Sequence, residues 1–354
     1  MSEFKGKLHE SAVKFPETDI WMDSCGEEEL NYGLERGIVG ATSNPIIVGN
    51  VIKSELSIWE DRIKALIEEM PEASEDEITW ALIHEMGELR AKKLLPIFEK
   101  YKGKKGRLSI QTNAIYYRSA DRMVEQALML NSLGENMQVK IPASAAGIKA
   151  MEEATYKGVS INATVSFTVA QAVAVAEAVE RGMARREAEG LSTEKMAPVC
   201  TIMIGRTDDS LKRYVNKTGM IVDPECLEWA GIAVIKEAYR IYKERGYRTR
   251  LLSAANRNHY HWSTLIGGDL AQTINYGWHK KLNGCDIEVL NRIDECVDEK
   301  YMEQLRKIPE FYKAFDEKGM ESKDFEKYDG FRDTLSTFIS GYCDLCKLIR
   351  SYMI

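Results

Sequence analysis

Among the side chains that could do chemistry, a lysine inside a strand-like run stands first. Lys140 lies in Met137-Gln-Val-Lys-Ile-Pro142, where period-two alternation puts Met137, Val139 and Ile141 on one face and Gln138 and Lys140 on the other. If that second face lines an interior, the ammonium loses solvation, its pKa falls, and a free amine becomes available to attack a carbonyl. The bland account is an edge-strand lysine whose stem lies along the surface while its charge reaches water. For an isolated strand that account is preferred, so the choice rests on the elements around Lys140.

Those elements repeat. Short β-like runs occur at 18–22, 37–41, 107–112, 137–141, 159–164, 198–204, 249–254 and 270–274. Stretches with helical periodicity lie between them, at 27–36, 120–133, 145–154, 168–189 and 225–246. Strand followed by helix, eight times over, predicts a parallel sheet closed into a (β/α)8 TIM barrel, with an open doubly wound sheet as the alternative. Residues 52–102 read as two amphipathic helices joined at Pro71 to Asp76, an enlarged helical insertion after strand two. Residues 286–354 read as a helical tail packed on the barrel, amphipathic around Pro309 to Phe315 and Gly330 to Ile349. No Pro-, Gly- or Ser-rich linker divides the chain, so 1–354 is expected to be one domain.

In such a barrel the C-terminal strand ends share one mouth, so polar residues there need a reason beyond solubility. Read strand by strand, they are Asp23; Asn44; Gln111 and Asn113; Lys140; Asn162 and Thr164; Thr201 and then Arg206; and Arg257. A central strand within this repetition favours an inward Lys140. Two arginines just past strand ends suit a phosphate, because guanidinium forks match its geometry. Each could instead pair with a carboxylate, and Asp208 and Asp209 lie close to Arg206. Asn162 and Thr164 alternate correctly for the inward face, where substrate contact and a structural polar layer are equally open.

Composition narrows the classes. The chain has 354 residues, 44% hydrophobic and 29% charged, and no apolar run approaches the roughly 20 residues that a membrane span needs. A net charge of −7 gives no general attraction to nucleic acid or anionic lipid, so an anionic ligand must be held locally. Seven cysteines, odd in number and irregularly spaced, argue against a disulfide framework. The first eleven residues lack the apolar core of a signal peptide. A cytoplasmic protein is expected.

Five motifs in order resemble the transaldolase family. They are Asp19-Ile-Trp-Met-Asp-Ser24; Val39-Gly-Ala-Thr-Ser-Asn-Pro45; Gln138-Val-Lys-Ile-Pro-Ala143; Gly147-Ile-Lys-Ala150 in the helix after it; and Gly158-Val-Ser-Ile-Asn-Ala-Thr164 with Ser166, Phe167 and Gln171, the resemblance running from about Asp19 to about Asn258. The resemblance fades in the tail. It implies a class I aldolase barrel in which Lys140 forms an imine with C2 of a ketose phosphate. Asp23 would take the C4 hydroxyl proton as the C3–C4 bond breaks, leaving a dihydroxyacetone enamine. Asn44 and Asn162 would hold substrate hydroxyls or the Schiff-base region, with Thr201 also at the substrate. Thr164 would position the water of imine formation and hydrolysis, and Arg206 and Arg257 would grip the phosphate. The protonated imine is the electron sink in this chemistry, so the resemblance implies no cofactor and no metal. Its implied partners are small sugar phosphates in the pentose phosphate pathway, with neither nucleic acid nor membrane, in a monomer or homodimer.

The departures from the family pattern matter. Gln111 stands where transaldolases carry Glu, and Asn113 where they carry Asp; an amide orients a water but cannot exchange protons with it at neutral pH. Fructose-6-phosphate aldolases resemble this chain in having Gln there but supply a Tyr on the sixth strand, where Met203 stands here and transaldolases have Phe. Ala255 replaces a usual Ser. Three readings follow: a transaldolase; an aldolase that releases free dihydroxyacetone, motivated by Gln111; and a sugar-phosphate-binding barrel without turnover, motivated by Gln111, Asn113 and Ala255 together. Other signals carry less. Cys343-Asp-Leu-Cys346 lacks a partner pair and reads as helix packing. His259, His261 and His279 lack a metal spacing, although His259 and His261 lie beside Arg257 and could touch substrate. The basic turn from Lys102 to Arg107 reads as solvated, and no Gly-rich nucleotide loop precedes a helix.

Overall fold

Eight strands pair in parallel and in chain order, and the last closes on the first. The computed structural model describes residues 4–354. The strands are β1 (Asp19–Met22), β2 (Gly40–Thr42), β3 (Arg107–Gln111), β4 (Met137–Pro142), β5 (Ile161–Ser166), β6 (Val199–Ile202), β7 (Arg250–Ser253) and β8 (Ala271–Ile274). This is the (β/α)8 barrel expected from the repeat, and the open sheet is excluded. The helices in chain order are α1 (Lys7–Lys14), α2 (Glu27–Leu34), α3 (Pro45–Ser54), α4 (Leu56–Glu69), α5 (Glu75–Lys100), α6 (Ala120–Asn131), α7 (Ala145–Tyr156) and α8 (Val169–Ala188). They continue with α9 (Ile204–Thr218), α10 (Ala230–Arg245), α11 (Tyr260–Ser263), α12 (Tyr276–Asn283), α13 (Glu299–Leu305), α14 (Pro309–Phe315) and α15 (Asp329–Met353).

Several boundaries differ from the sequence reading, each for a local reason. The second strand starts at Gly40 rather than 37, because Gly37 takes a left-handed φ of 83° that closes the turn after α2. The sixth strand ends at Ile202 because α9 begins at Ile204, which puts Arg206 in the first turn of a helix. The single helix expected over 225–246 is a 3-10 turn, Pro224–Glu228, followed by α10. The insertion after β2 holds three helices, since Asn44 caps α3 directly at the end of β2. The expected join of the other two survives: α5 opens on a capping box in which Ser74 and Glu77 satisfy each other's backbone N–H. The tail adds α13 and a 3-10 segment, Ser322–Lys327, to the two expected helices. Its long helix α15 lies against α3, α5 and α9 and reaches β5.

The barrel interior is polar in part. Across its middle, Asn162 Nδ2 donates to Ser109 Oγ (3.1 Å), Ser109 Oγ donates to Gln138 Oε1 (2.7 Å), and Thr201 Oγ1 donates to Asn162 Oδ1 (2.6 Å). One chain of bonds thus ties β3, β4, β5 and β6. Outward-facing Val139, Ile141, Ile161 and Ala163 are buried beneath the surrounding helices, as parallel strands covered on both faces require. Among the described residues, no helix is long and apolar enough to cross a membrane.

Candidate active site

At the C-terminal mouth of the barrel a cavity of about 170 Å³ is lined by Asp23, Asn44, Lys140, Thr164, Thr201, Met203, Arg206, Ala254, Ala255, Arg257, Thr273, Asn275 and Phe338. Seven of the nine residues expected at the site meet there. The other two are Gln111 and Asn162. Asn162 is wholly buried, with both amide atoms spent in the polar layer below. Gln111 sits beside Lys140 in the strand register; it is buried, and neither of its side-chain polar atoms has a partner. A larger groove of about 650 Å³ lies outside the barrel, between α10 and the stretch 293–306. Three of its four cations are engaged: Lys236 Nζ donates to three backbone carbonyls, Arg240 pairs with Glu237 and Glu244, and Arg306 pairs with Glu299. Chemistry therefore favours the smaller cavity.

Lys140 is 5% exposed, and its Nζ donates to the carbonyl oxygen of Ser43 at 3.2 Å. Burial pushes its pKa below the ordinary lysine value, while the Asp23 carboxylate opposes that shift. A neutral amine that gives one N–H to a carbonyl keeps its lone pair free for attack. Ser43 is placed by the turn between β2 and α3, where Asn44 Oδ1 accepts from the N–H groups of Ile46 and Ile47. That cap spends the Asn44 amide oxygen and leaves its N–H donors uncommitted on a residue that lines the cavity.

Asp23 accepts from Thr42 Oγ1 at 2.6 Å, and Thr42 Oγ1 also lies 2.7 Å from Thr273 Oγ1. A hydroxyl has one proton, so with Thr42 donating to the carboxylate, Thr273 must donate to Thr42. The relay fixes Asp23 and leaves its other oxygen for a ligand. Thr164 lines the cavity with an unpartnered buried hydroxyl. It is set by an irregularity in β5, where the pairing with β6 shifts between Ala163 and Ser166 and Val165 takes a φ of 52°. A β-branched residue in that region is strained, and bulges of this kind re-aim neighbouring side chains.

The two arginines are unlike. Arg257 is exposed, and its guanidinium forks Asp209, with Nη2 at 2.7 Å and Nε at 3.0 Å from Oδ2. Arg206 is half-buried; among the described residues it makes one hydrogen bond, to Thr334 Oγ1 at 3.4 Å, and no ion pair. Its guanidinium stands 5.8 Å from the centre of the Phe338 ring. Burial lowers its pKa, and the nearby Arg257 pushes in the same direction, while Asp209 and Asp23 oppose the shift. The carboxylates that could have neutralised Arg206 are committed elsewhere, Asp209 to Arg257 and Asp208 to His261. An unpaired cation facing a polar cavity suits an anion.

Thr273, Asn275, Ala254 and Phe338 were not foreseen. Thr273 follows from the same strand-end rule extended to β8, whereas Phe338 comes from the tail and carries no local signal. Asn113 is turned away, its Oδ1 capping a 3-10 turn at Ile115 N. The His259 ring lies tilted against Tyr260 with centroids 4.0 Å apart, and His279 Nε2 is 3.2 Å from the Trp21 carbonyl; neither lines the cavity. Among the described residues no group of three or more His, Cys, Asp or Glu could hold a metal. In the Cys343 and Cys346 pair, Cys346 is buried in packing while Cys343 is exposed.

A closed (β/α)8 barrel with a buried lysine at its mouth defines a class of lysine-bearing barrel proteins. The family model described as Transaldolase/Fructose-6-phosphate aldolase matches residues 20–329, and the chain belongs to this family. Curated relatives include a "Transaldolase" of Thiobacillus denitrificans, 28% identical over 234 residues, 64% of this chain and 64% of that protein. A "Transaldolase" of Neisseria gonorrhoeae is 29% identical over 244 residues, 66% of each. One of Acidothermus cellulolyticus is 26% identical over 244 residues, 64% of this chain and 62% of that protein. The match spans less than two thirds of each relative's length.

Proposed function

We propose that this protein is a transaldolase, moving a dihydroxyacetone unit from a ketose phosphate such as fructose 6-phosphate or sedoheptulose 7-phosphate to an aldose phosphate. The observation that carries the reading is the desolvated Lys140 amine at a cavity that also holds Asp23 and an unneutralised Arg206. In this reading Lys140 Nζ adds to the C2 ketone and water leaves, giving an iminium. Asp23 takes the C4 hydroxyl proton; the C3–C4 electron pair flows to the iminium nitrogen, and an aldehyde departs from the enamine. The enamine carbon then adds to the acceptor aldehyde, Asp23 returns its proton to the new alkoxide, and water hydrolyses the imine. Thr164 and Gln111 are assigned to that water, because Thr164 lines the cavity with Lys140, Gln111 pairs with Lys140 in the strand register, and both leave buried polar atoms unpartnered. Asn44 and Thr201 would contact substrate hydroxyls, and Arg206 and Arg257 the phosphate. Asn162 acts from below by holding Thr201. Such a reaction belongs to carbohydrate metabolism of the pentose phosphate type in the cytoplasm.

Borohydride with fructose 6-phosphate should attach a three-carbon adduct at Lys140, read by intact mass and peptide mapping; unchanged mass would defeat the reading. A second reading, release of free dihydroxyacetone, is favoured by one observation, the amide at Gln111. Product assays with and without an aldose acceptor separate the two, since strict dependence on the acceptor excludes the lyase.

A further inference from the structure

Two neighbouring carboxylates on α9, Asp208 and Asp209, both reach the segment that carries Arg257, in different ways. Asp209 takes the Arg257 guanidinium at the surface. Asp208 works from inside. Its Oδ2 is 2.8 Å from His261 Nε2, with both side chains fully buried, and its Oδ1 accepts from Gly231 N at 2.8 Å. On its other edge, His261 Nδ1 accepts the backbone N–H of Arg257 at 3.2 Å. An Nδ1 that accepts carries no proton, so the ring must donate from Nε2 to Asp208. The bonds run without a break from α9 through the imidazole to the Arg257 backbone.

The contact between the two arginine-bearing segments is close for a second reason. A Cβ at Gly205 would lie 1.8 Å from the Ala255 carbonyl oxygen and 2.8 Å from Arg257 Cγ, so the start of α9 and the chain after β7 touch backbone to backbone. Ala255 holds a left-handed φ of 67° there, a strained state that persists only where its surroundings over-determine it.

We propose that His261 and Asp208 are positioning residues that set the Arg257 backbone against the first turn of α9, and so fix the spacing of the two guanidinium groups for a phosphate dianion. This rests on the reading of the two arginines as a phosphate grip. Neither residue touches the cavity; they act through Arg257. The pair answers a geometric need. Arg206 is held by a helix, whereas Arg257 is on a connection without regular structure, and its exposed side chain alone cannot define where its main chain sits.

The test uses inorganic phosphate as the probe and thermal stabilisation as the readout, on the full chain. His261→Phe fills the same space but removes both the acceptor for the Arg257 N–H and the donor to Asp208; His261→Asn keeps an oxygen near the Nδ1 position. Phosphate should stabilise the wild type, with a Kd that rises about tenfold in His261→Phe, the equivalent of one lost hydrogen bond, and recovers in His261→Asn. The KM for fructose 6-phosphate should rise in parallel, while turnover of unphosphorylated fructose is unchanged. Equal phosphate affinity in wild type and His261→Phe overturns the positioning role and leaves the phosphate grip standing. A wild type that phosphate does not stabilise overturns both. If His261→Phe does not fold, Asp208→Asn replaces it with the same expected direction, and an unaltered phosphate Kd there overturns the proposal.

Discussion

Replacing Arg206 with Met should make the protein more stable and at the same time blind it to phosphate. In the free protein this guanidinium is half-buried, its proton affinity lowered by burial, with a single 3.4 Å bond to Thr334 and, among the described residues, no carboxylate at ion-pair distance; Asp209 and Asp23 act on it only from farther away. A desolvated cation without a partner destabilises the fold. A Met of similar length against Phe338 removes that charge and keeps the packing, so Tm should rise by about 1–2 °C. The effect on ligand is opposite and larger. Charge-assisted hydrogen bonds contribute about 1.5–3 kcal/mol each; a fork of two corresponds to roughly 10²–10⁴ in affinity. Arg257 starts from its fork on Asp209, so a phosphate must share or displace that carboxylate, and its net contribution is about one such bond. The Arg257→Met variant should therefore lose about ten- to a hundredfold and gain no stability. Thermal unfolding with and without inorganic phosphate measures both quantities, since ligand at a hundred times Kd adds about 2.7 kcal/mol. The reasoning fails if Arg206→Met lowers Tm, or if it keeps the phosphate shift while Arg257→Met loses it.

Three further outcomes follow from the same structure. Lys140→Met should raise stability at neutral pH, because the folded state disfavours the charged lysine; that penalty is full below the folded pKa and fades as pH rises towards the ordinary lysine value. Comparing Tm at pH 7 and near pH 10 checks it, and a difference independent of pH contradicts it. His279 is held neutral by burial, its pKa lowered from 6.5 to about 4. Stability on its account is present above 6.5 and lost as pH falls towards 4, by on the order of 3 kcal/mol, so urea unfolding of His279→Gln should show a flatter acid limb. Phe338 is 1% exposed, so Phe338→Ala should cost about 3–5 kcal/mol in urea unfolding; because the ring also lines the cavity, it should relax selectivity for the length of the sugar phosphate.

The inward direction of Lys140 was legible because strand alternation, eightfold repetition and a central position all point the same way. Asp23, Asn44, Thr164, Thr201, Arg206 and Arg257 were legible for a related reason: strand ends in a closed barrel converge by geometry, whatever the side chains do. What could not be read was which partners those side chains would choose. Asn162 alternates correctly for the cavity, but its two amide atoms find Ser109 and Thr201 one layer down, and only coordinates separate adjacent layers. Asp208 and Asp209 are sequence neighbours of Arg206, yet helical geometry turns them to His261 and Arg257. Phe338 enters from a helix 198 residues after Lys140 (338 − 140), and nothing local marks it.

The two ends of the barrel offer a final argument for where the chemistry belongs. At the N-terminal end the buried ions find several partners each: Asp19 takes Lys105 and Arg250, each at 2.6 Å, and Arg107, without an ion pair, donates to the carbonyls of Gly103, Met137 and Lys195. That is how a fold satisfies charge when stability is the only demand. At the C-terminal end the same chain leaves Lys140 with one carbonyl, Arg206 with one hydroxyl, and Gln111 and Thr164 with unpartnered atoms, and it holds Val165 and Ala255 at left-handed φ. Unsatisfied groups and backbone strain each destabilise the free protein. At this mouth they lie at or beside one small cavity that also holds Asp23 and Arg206, so a ligand with hydroxyls, a carbonyl and an anionic end would complete bonds that the protein leaves open there.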